Sequence, residues 1–254
     1  MLIWAKLIAF MSNNLDISNH LNDIFDDWQR SRDKFDRNIV RGEYWPVPFF
    51  GNPATARVAT IGANPSSEEF KPHRQWPKAT KANRGAWKSR LKNYFNHSLV
   101  PDDWFDPWTI GLALLDCSYK GGTAAHFDAS YRPTTAMHAN KNTDPKEFHA
   151  MAVQDVQWIF KILPLCPNLR LLLTMGPIIG ENLKPVPLIG FLGEAAPRHG
   201  YRMIRQDPFW ELWHEESRRV LAIHEADTPG EKCITCRVVK NIHAHRDELR
   251  QRLI

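Results

Sequence analysis

Apolar and polar positions along this chain alternate between helical and strand-like patterns. Over residues 15–38, Leu15, Ile17, Leu21, Ile24, Phe25 and Trp28 recur at helical spacing among acids and bases, which predicts an amphipathic helix. Pro and Gly residues between 46 and 54 break that pattern. Val58 to Ile61 then reads as a short buried strand. Residues 83–98 predict a helix with Trp87, Leu91, Tyr94 and Phe95 on one side. The apolar run from Trp108 to Leu115 predicts a second buried strand. Asp144 before Pro145 is an amino-terminal cap for a helix that carries Phe148, Val153, Val156, Trp158, Ile159 and Ile162. Pro164 and Pro167 stop it.

Leu169 to Met175 is nearly all apolar, the pattern of a strand covered on both faces. Gly176-Pro177 is expected to open a short helix, Arg219 to Ile223 a fourth strand, and Val238 to Leu253 a closing helix. Strands alternating with helices predict an α/β fold, a three-layer α/β/α sandwich around a mostly parallel four-stranded sheet. The chain reads as a single domain over 1–254. A helical extension covers 12–45, the core 50–230 and a carboxyl-terminal helix 231–254.

Composition narrows the picture. The 254 residues include ten Trp and thirteen Phe, enough for a sizeable core with aromatics to spare. A net charge of +5 favours a polyanionic partner. Four scattered cysteines make no disulfide framework, which suits a reducing cytoplasm. The apolar amino terminus, Met1 to Met11, is too short to span a bilayer and lacks the flanks of a secretory signal. No membrane association is expected.

Candidate chemistry gathers at strand ends. Gly62-Ala63-Asn64-Pro65-Ser66 follows the first strand, and ligands of parallel α/β sheets bind where strands end in loops. Gly62 permits close backbone approach and Pro65 fixes the chain direction, so the Asn64 amide is held rigidly between them. Alone, the same residues also describe an ordinary turn. Asp116 closes the second predicted strand and His224 the fourth, each equally open to a structural reading. Between Lys71 and Lys92 stand eight basic residues and no acid: Lys71, Arg74, Lys78, Lys81, Arg84, Lys88, Arg90 and Lys92. Trp76 and Trp87 are interleaved with them. Such a run either contacts phosphates while its aromatics stack on bases, or is a solvated face. Cys233-Ile-Thr-Cys236 with His243 and His245 lacks the usual spacing of zinc ligands, so no metal and no cofactor are expected.

With Gly62-Ala63-Asn64-Pro65-Ser66 after one strand, Leu115-Asp116 after the next and His224 after the last, the chain resembles the uracil-DNA glycosylase superfamily. The likeness is to branches whose first motif reads Gly-x-Asn-Pro, and it spans roughly residues 50 to 230. It implies a monomeric, monofunctional DNA glycosylase that flips a base from DNA and hydrolyses its N-glycosidic bond. By the resemblance Asn64 orients the water, Phe70 stacks on the base with Trp76 behind it, and Asp116 reads the pairing edge. His224 takes the last-motif role, with His199 in competition, because His224-Glu225-Ala226 departs from the family's His-Pro-Ser. Lys71, Arg74, Lys78, Lys81, Arg84 and Lys88 would meet the phosphates. A carboxylate in place of the usual base-reading Asn suits the N4 amine of cytosine better than O4 of uracil. That points to a modified cytosine, as in some phage DNA, and to antiviral defence. The alternatives are uracil or mismatch repair, a non-catalytic DNA-binding module, and an unrelated hydrolase or nucleotide enzyme.

Overall fold

The computed structural model describes residues 2–35, 40–65, 67–96, 103–134 and 144–254, with side chains from Ile17 onward. Ser66 of the first motif, positions 36–38 of the first predicted helix and 97–98 of the second lie outside these residues. In chain order the helices are α1 (Leu2–Ser31), α2 (Arg84–Lys92), α3 (Phe105–Ala113), α4 (Pro145–Asp155), α5 (Gln157–Ile162), α6 (Leu188–Ala195), α7 (Ile234–Ala244) and α8 (Arg246–Gln251). The strands are β1 (Phe49–Phe50), β2 (Val58–Gly62), β3 (Ala124–Asp128), β4 (Leu171–Thr174), β5 (Pro177–Ile179), β6 (Pro185–Pro187), β7 (Tyr201–Gln206), β8 (Phe209–His214) and β9 (Val220–Glu225).

The main sheet has seven strands in the order β1-β3-β2-β4-β9-β8-β7, rather than the four expected. Its centre, β3-β2-β4-β9, is parallel. The edge strands β1 and β7, and β8 next to β7, run antiparallel to their neighbours. Every residue of β2, β3 and β4 is buried, as befits strands covered on both faces. A separate hairpin pairs β5 with β6.

Where sequence and structure agree, the cause is visible. Ile17, Leu21, Ile24, Phe25 and Trp28 form the buried stripe of α1. The Asp144 carboxylate accepts from the Lys146 amide and caps α4 as its sequence predicts. Leu171–Thr174 and Val220–Glu225 lie close to the strands expected there.

Three expectations fail. Trp108 to Leu115 is not a strand; it is the body of α3 and its closing turn. Trp108, Gly111, Leu112 and Leu115 are buried at helical spacing, while Thr109, Ile110 and Ala113 are exposed. A continuous apolar run cannot by itself separate these two states. Gly111 allows the close approach of α7, since a Cβ there would stand 2.6 Å from Ile242 Cδ1. Secondly, the second parallel strand is β3, in a segment where the sequence pattern predicts no strand. Ala-Ala-His-Phe-Asp has too little branched apolar character to announce a strand. Thirdly, Gly176-Pro177 opens β5 and not a helix; the helix begins at Leu188.

Candidate active site

The carboxyl edge of β2 and β3 is stitched beyond the strands themselves. Register pairs Gly62 with Asp128. The Ala129 amide then donates to Gly62 O at 2.9 Å and the Ser130 amide to Ala63 O at 2.9 Å. Thr134, fully buried, closes the loop by donating its amide to Pro65 O at 3.3 Å. The turn after β2 is thus held by the chain that leaves β3.

Asn64 sits in this frame, half-buried. Its Nδ2 donates to Thr134 Oγ1 at 2.6 Å and to Pro65 O at 3.2 Å. Thr134 Oγ1 spends its own proton on Pro65 O at 3.0 Å, so it accepts from Asn64. That fixes which way the amide points. The donor end is committed to protein, which leaves Oδ1 as the acceptor end.

Beside the turn runs a buried polar chain that the sequence reading missed. Tyr119 Oη lies 2.5 Å from Thr60 Oγ1, and Thr60 Oγ1 lies 2.8 Å from His126 Nδ1. His126 Nε2 lies 3.3 Å from Asp128 Oδ1. Among the described residues the Tyr119 hydroxyl meets only Thr60, so its proton has one acceptor. Tyr119 therefore donates to Thr60, Thr60 to Nδ1 of His126, and Nε2–H to Asp128. The chain is packed in place by Phe95, stacked 4.1 Å from Tyr119, and by Trp104, 4.9 Å from His126. Gly62 makes room for its far end: a Cβ there would lie 3.1 Å from both Asp128 Oδ1 and His126 Cε1.

Asp128 ends the chain with one oxygen unused. The residue is 4% exposed, and its Oδ2 has no hydrogen-bond partner among the described residues. Burial pushes its carboxyl above the usual range, with His126 opposing. A buried carboxyl oxygen left unpaired is costly.

The residues expected at the site divide sharply. Asn64 is at the sheet edge, and Asp128 stands where Asp116 was expected. Asp116 instead lies in the turn after α3, exposed, in the left-handed conformation at φ 54, with Arg250 at 2.8 Å. Phe70 and Trp76 are core residues, 1% and 7% exposed. Phe70 stacks on Tyr44, and Trp76 donates Nε1–H to the buried Glu69 carboxylate at 2.9 Å. His224 is buried in β9, where it donates Nε2–H to Asn241 Oδ1 at 2.7 Å. Asn241 Nδ2 in turn donates to Asp227 O, which sets that amide's direction. His224 thus ties α7 to the sheet, and burial lowers its pKa. β9 lies two strands from β2, roughly 10 Å away at ordinary strand spacing. Glu225, half-buried at the end of β9, has its carboxyl raised by burial and by Asp227.

Much of the basic run is tied down. Arg84 Nη2 donates to Asp26 and Gln29, both at 2.7 Å, with its guanidinium 4.8 Å from the Trp45 ring. Lys88 Nζ donates to Ser18 O at 3.0 Å and Asn22 Oδ1 at 2.5 Å. Burial lowers its pKa. Arg90 donates to Gln75 O and Arg74 O and lies over Trp76. Lys71 pairs with Glu68, while Lys78 and Lys81 are exposed. Arg74 is half-buried, with the Arg90 guanidinium on its carbonyl.

A second buried polar group lies just past β3. Arg132, fully buried, donates Nε–H to both oxygens of Asp155, at 3.1 and 3.0 Å, and Ser130 Oγ donates to Asp155 Oδ2 at 2.7 Å. Burial works against the Arg132 charge, but Asp155, with Tyr131 and Asp27, raises its pKa on balance. His199 lies elsewhere, stacked on Phe160 at 5.1 Å and lining a cleft of about 210 Å³ with His149, Phe191 and Glu194. That cleft includes neither Asn64 nor Asp128. Among the described residues no helix is long and apolar enough to cross a membrane, and no cluster of three or more His, Cys, Asp or Glu could hold a metal ion. Neither a model of a known protein family nor a curated protein matches the chain.

Proposed function

We propose that this protein hydrolyses an N-glycosidic bond, releasing a flipped base from DNA at the carboxyl edge of β2 and β3. One observation carries the reading. An Asn amide, its donor end fixed by Thr134, stands in the turn after β2, beside the strand that carries a buried carboxyl whose Oδ2 lacks a partner among the described residues. In such a hydrolysis the base leaves with negative charge and the sugar becomes cationic, so a water must be held at the anomeric carbon and the base gripped as it departs. Asn64 Oδ1 accepts a hydrogen bond from that water and so aims its lone pair at the anomeric carbon. Asp128 Oδ2 meets the pairing edge of the base, the role the resemblance gave to Asp116.

The base class follows from Asp128. A carboxyl donates to cytosine N3 when protonated and accepts from the N4 amine when ionised, so cytosine-type bases, including modified ones, are the favoured substrates. Trp104, half-buried against His126, is the aromatic best situated to stack on the base. Phosphate contact falls to Lys71, Lys78 and Lys81. The same reading carries a three-layer arrangement of helices around the four parallel strands.

A second reading has one observation in its favour. The internal partners of Arg84, Lys88 and Arg90 withdraw three cations of the 71–92 basic run from a long polyanion, which suits a free nucleoside or nucleotide as substrate. Incubation with single- and double-stranded oligonucleotides bearing uracil, mismatched thymine, hypoxanthine, cytosine and modified cytosines, followed by alkaline cleavage, separates the two. Abasic sites, with binding that weakens steeply in salt, support DNA as substrate. Release only from free nucleosides, with salt-independent binding, supports the second reading.

A further inference from the structure

The main sheet has one long open edge. β7, six residues long, ends the strand order and pairs only with β8, whereas β1 at the other end has two residues. The register of β7 and β8 shows which main-chain groups are spent. It pairs Arg202 with Trp213, Ile204 with Glu211 and Gln206 with Phe209, and just outside the strand the Glu215 amide donates to Gly200 O at 2.9 Å. Antiparallel pairs alternate between bonded and unbonded. With Gly200 and Glu215 bonded, the even-numbered residues of β7 bond to β8, and the amides and carbonyls of Met203 and Arg205 point out of the sheet. Neither residue has a main-chain partner elsewhere among the described residues. The side chains along this edge carry a pattern. Met203 and Arg205 share one face of the sheet, Arg202 and Ile204 the other. Met203 and Ile204 are half-buried, and Met203 Sδ lies against α6, where a Cβ on Gly193 would meet it at 3.1 Å. Arg202 and Arg205 are 65% and 66% exposed. Their acidic neighbours, Glu215 at 3.9 Å and Asp207 at 2.9 Å, are exposed too, so these pairs hold the arginines only weakly.

We propose that the open edge of β7 docks an extended acidic peptide, which adds a strand to the sheet with the pattern acid–apolar–apolar–acid opposite Arg205, Ile204, Met203 and Arg202. Main-chain bonds to Met203 and Arg205 hold the peptide, and the alternating side chains select it. An opposite-charge cross-strand pair forms at each end, one on each face, with apolar pairs between them. Charge decides against a second copy of this chain as occupant. Another β7 would bring two more arginines and no acid to the edge, and charged edges are how sheets avoid pairing with their like. An acidic strand meets no such barrier. The edge lies four strands from β2, and no part of the base-release chemistry uses it.

The test titrates the full chain into fluorescein-labelled Ser-Glu-Val-Val-Glu-Ser, read by anisotropy, beside the same peptide with Lys in place of both Glu residues. The Glu peptide should bind at least about tenfold more tightly than the Lys peptide. Arg202→Glu together with Arg205→Glu, both at exposed positions, should reverse that order. N-methylation separates strand pairing from plain charge attraction. Of the two alternate sets of peptide amides only one faces β7, so methylating that set should abolish binding and methylating the other should spare it. The proposal is overturned by equal binding of the two peptides, by a preference that survives the double substitution, by equal effects of the two methylated sets, or by no saturation below about 1 mM. Sedimentation showing wild-type dimers that the double substitution dissolves would give the edge to a second copy and overturn it as well. None of these outcomes depends on base release.

Discussion

Asn64 Nδ2 donates to Thr134 Oγ1 at 2.6 Å, joining the turn after β2 to the chain that leaves β3 across 70 positions of sequence. The bond decides how the amide is used. Because Thr134 must accept, the nitrogen of the Asn64 amide is committed to protein and its oxygen is the acceptor end. Thr134→Val keeps the shape of the side chain and removes the acceptor. It is expected to let the amide turn and to slow base release about tenfold or more, with stability changed by about 1–3 kcal/mol. Rates measured beside urea unfolding check this, and an unaltered rate would mean the amide direction is immaterial.

Gly62 is required by its neighbours and not by its backbone angles. A Cβ would enter within 3.1 Å of Asp128 Oδ1 and His126 Cε1, both buried, so neither can give way freely. Gly62→Ala should cost about 1–3 kcal/mol, typical of overpacking, and disturb the Asp128 carboxyl. Urea unfolding curves give the cost directly; a variant as stable as wild type would show that the pair has room to move.

The raised Asp128 carboxyl has a signed consequence for stability. The folded chain keeps a proton that the unfolded chain releases near pH 4, so stability falls as pH rises from there through the folded pKa. Asp128→Asn removes that dependence. Unfolding free energies across a pH series should show a shallower decline for the variant, and identical slopes would contradict the assignment.

Asp155 balances a fully buried guanidinium. Asp155→Ala strands Arg132 without its partner and should cost about 3–5 kcal/mol. Asp116, exposed with its Arg250 pair, is the counter-case: Asp116→Ala should change stability by less than about 1 kcal/mol and leave base release intact. A large loss of activity in Asp116→Ala would restore it as the base reader.

How much of this was legible beforehand depends on what each segment needed from its neighbours. Val58–Gly62, Leu171–Thr174 and the cap at Asp144 declare themselves through local pattern, and Asn64 is found because its Gly and Pro flanks are local too. β3 does not, since Ala124, Ala125 and His126 become strand only by pairing with β1 and β2. With β3 hidden, the nearest apolar run, Trp108–Leu115, took its place and carried Asp116 to the sheet edge with it. His126 and Asp128 were thus missed, although His-Phe-Asp is a period-two polar pair of the kind a strand aims at one face. Phe70 and Trp76 received their stacking role from the resemblance alone, whereas Glu69, Tyr44 and Tyr94 draw both rings inward.

The most direct test is single-turnover base release on the best substrate of the oligonucleotide panel, comparing wild type, Asn64→Ala and Asp128→Asn. Release by wild type, at least about a hundredfold loss in Asn64→Ala with DNA binding kept, and an altered base preference in Asp128→Asn are the predicted results. Equal rates for wild type and Asn64→Ala, or no release from any base, would contradict it.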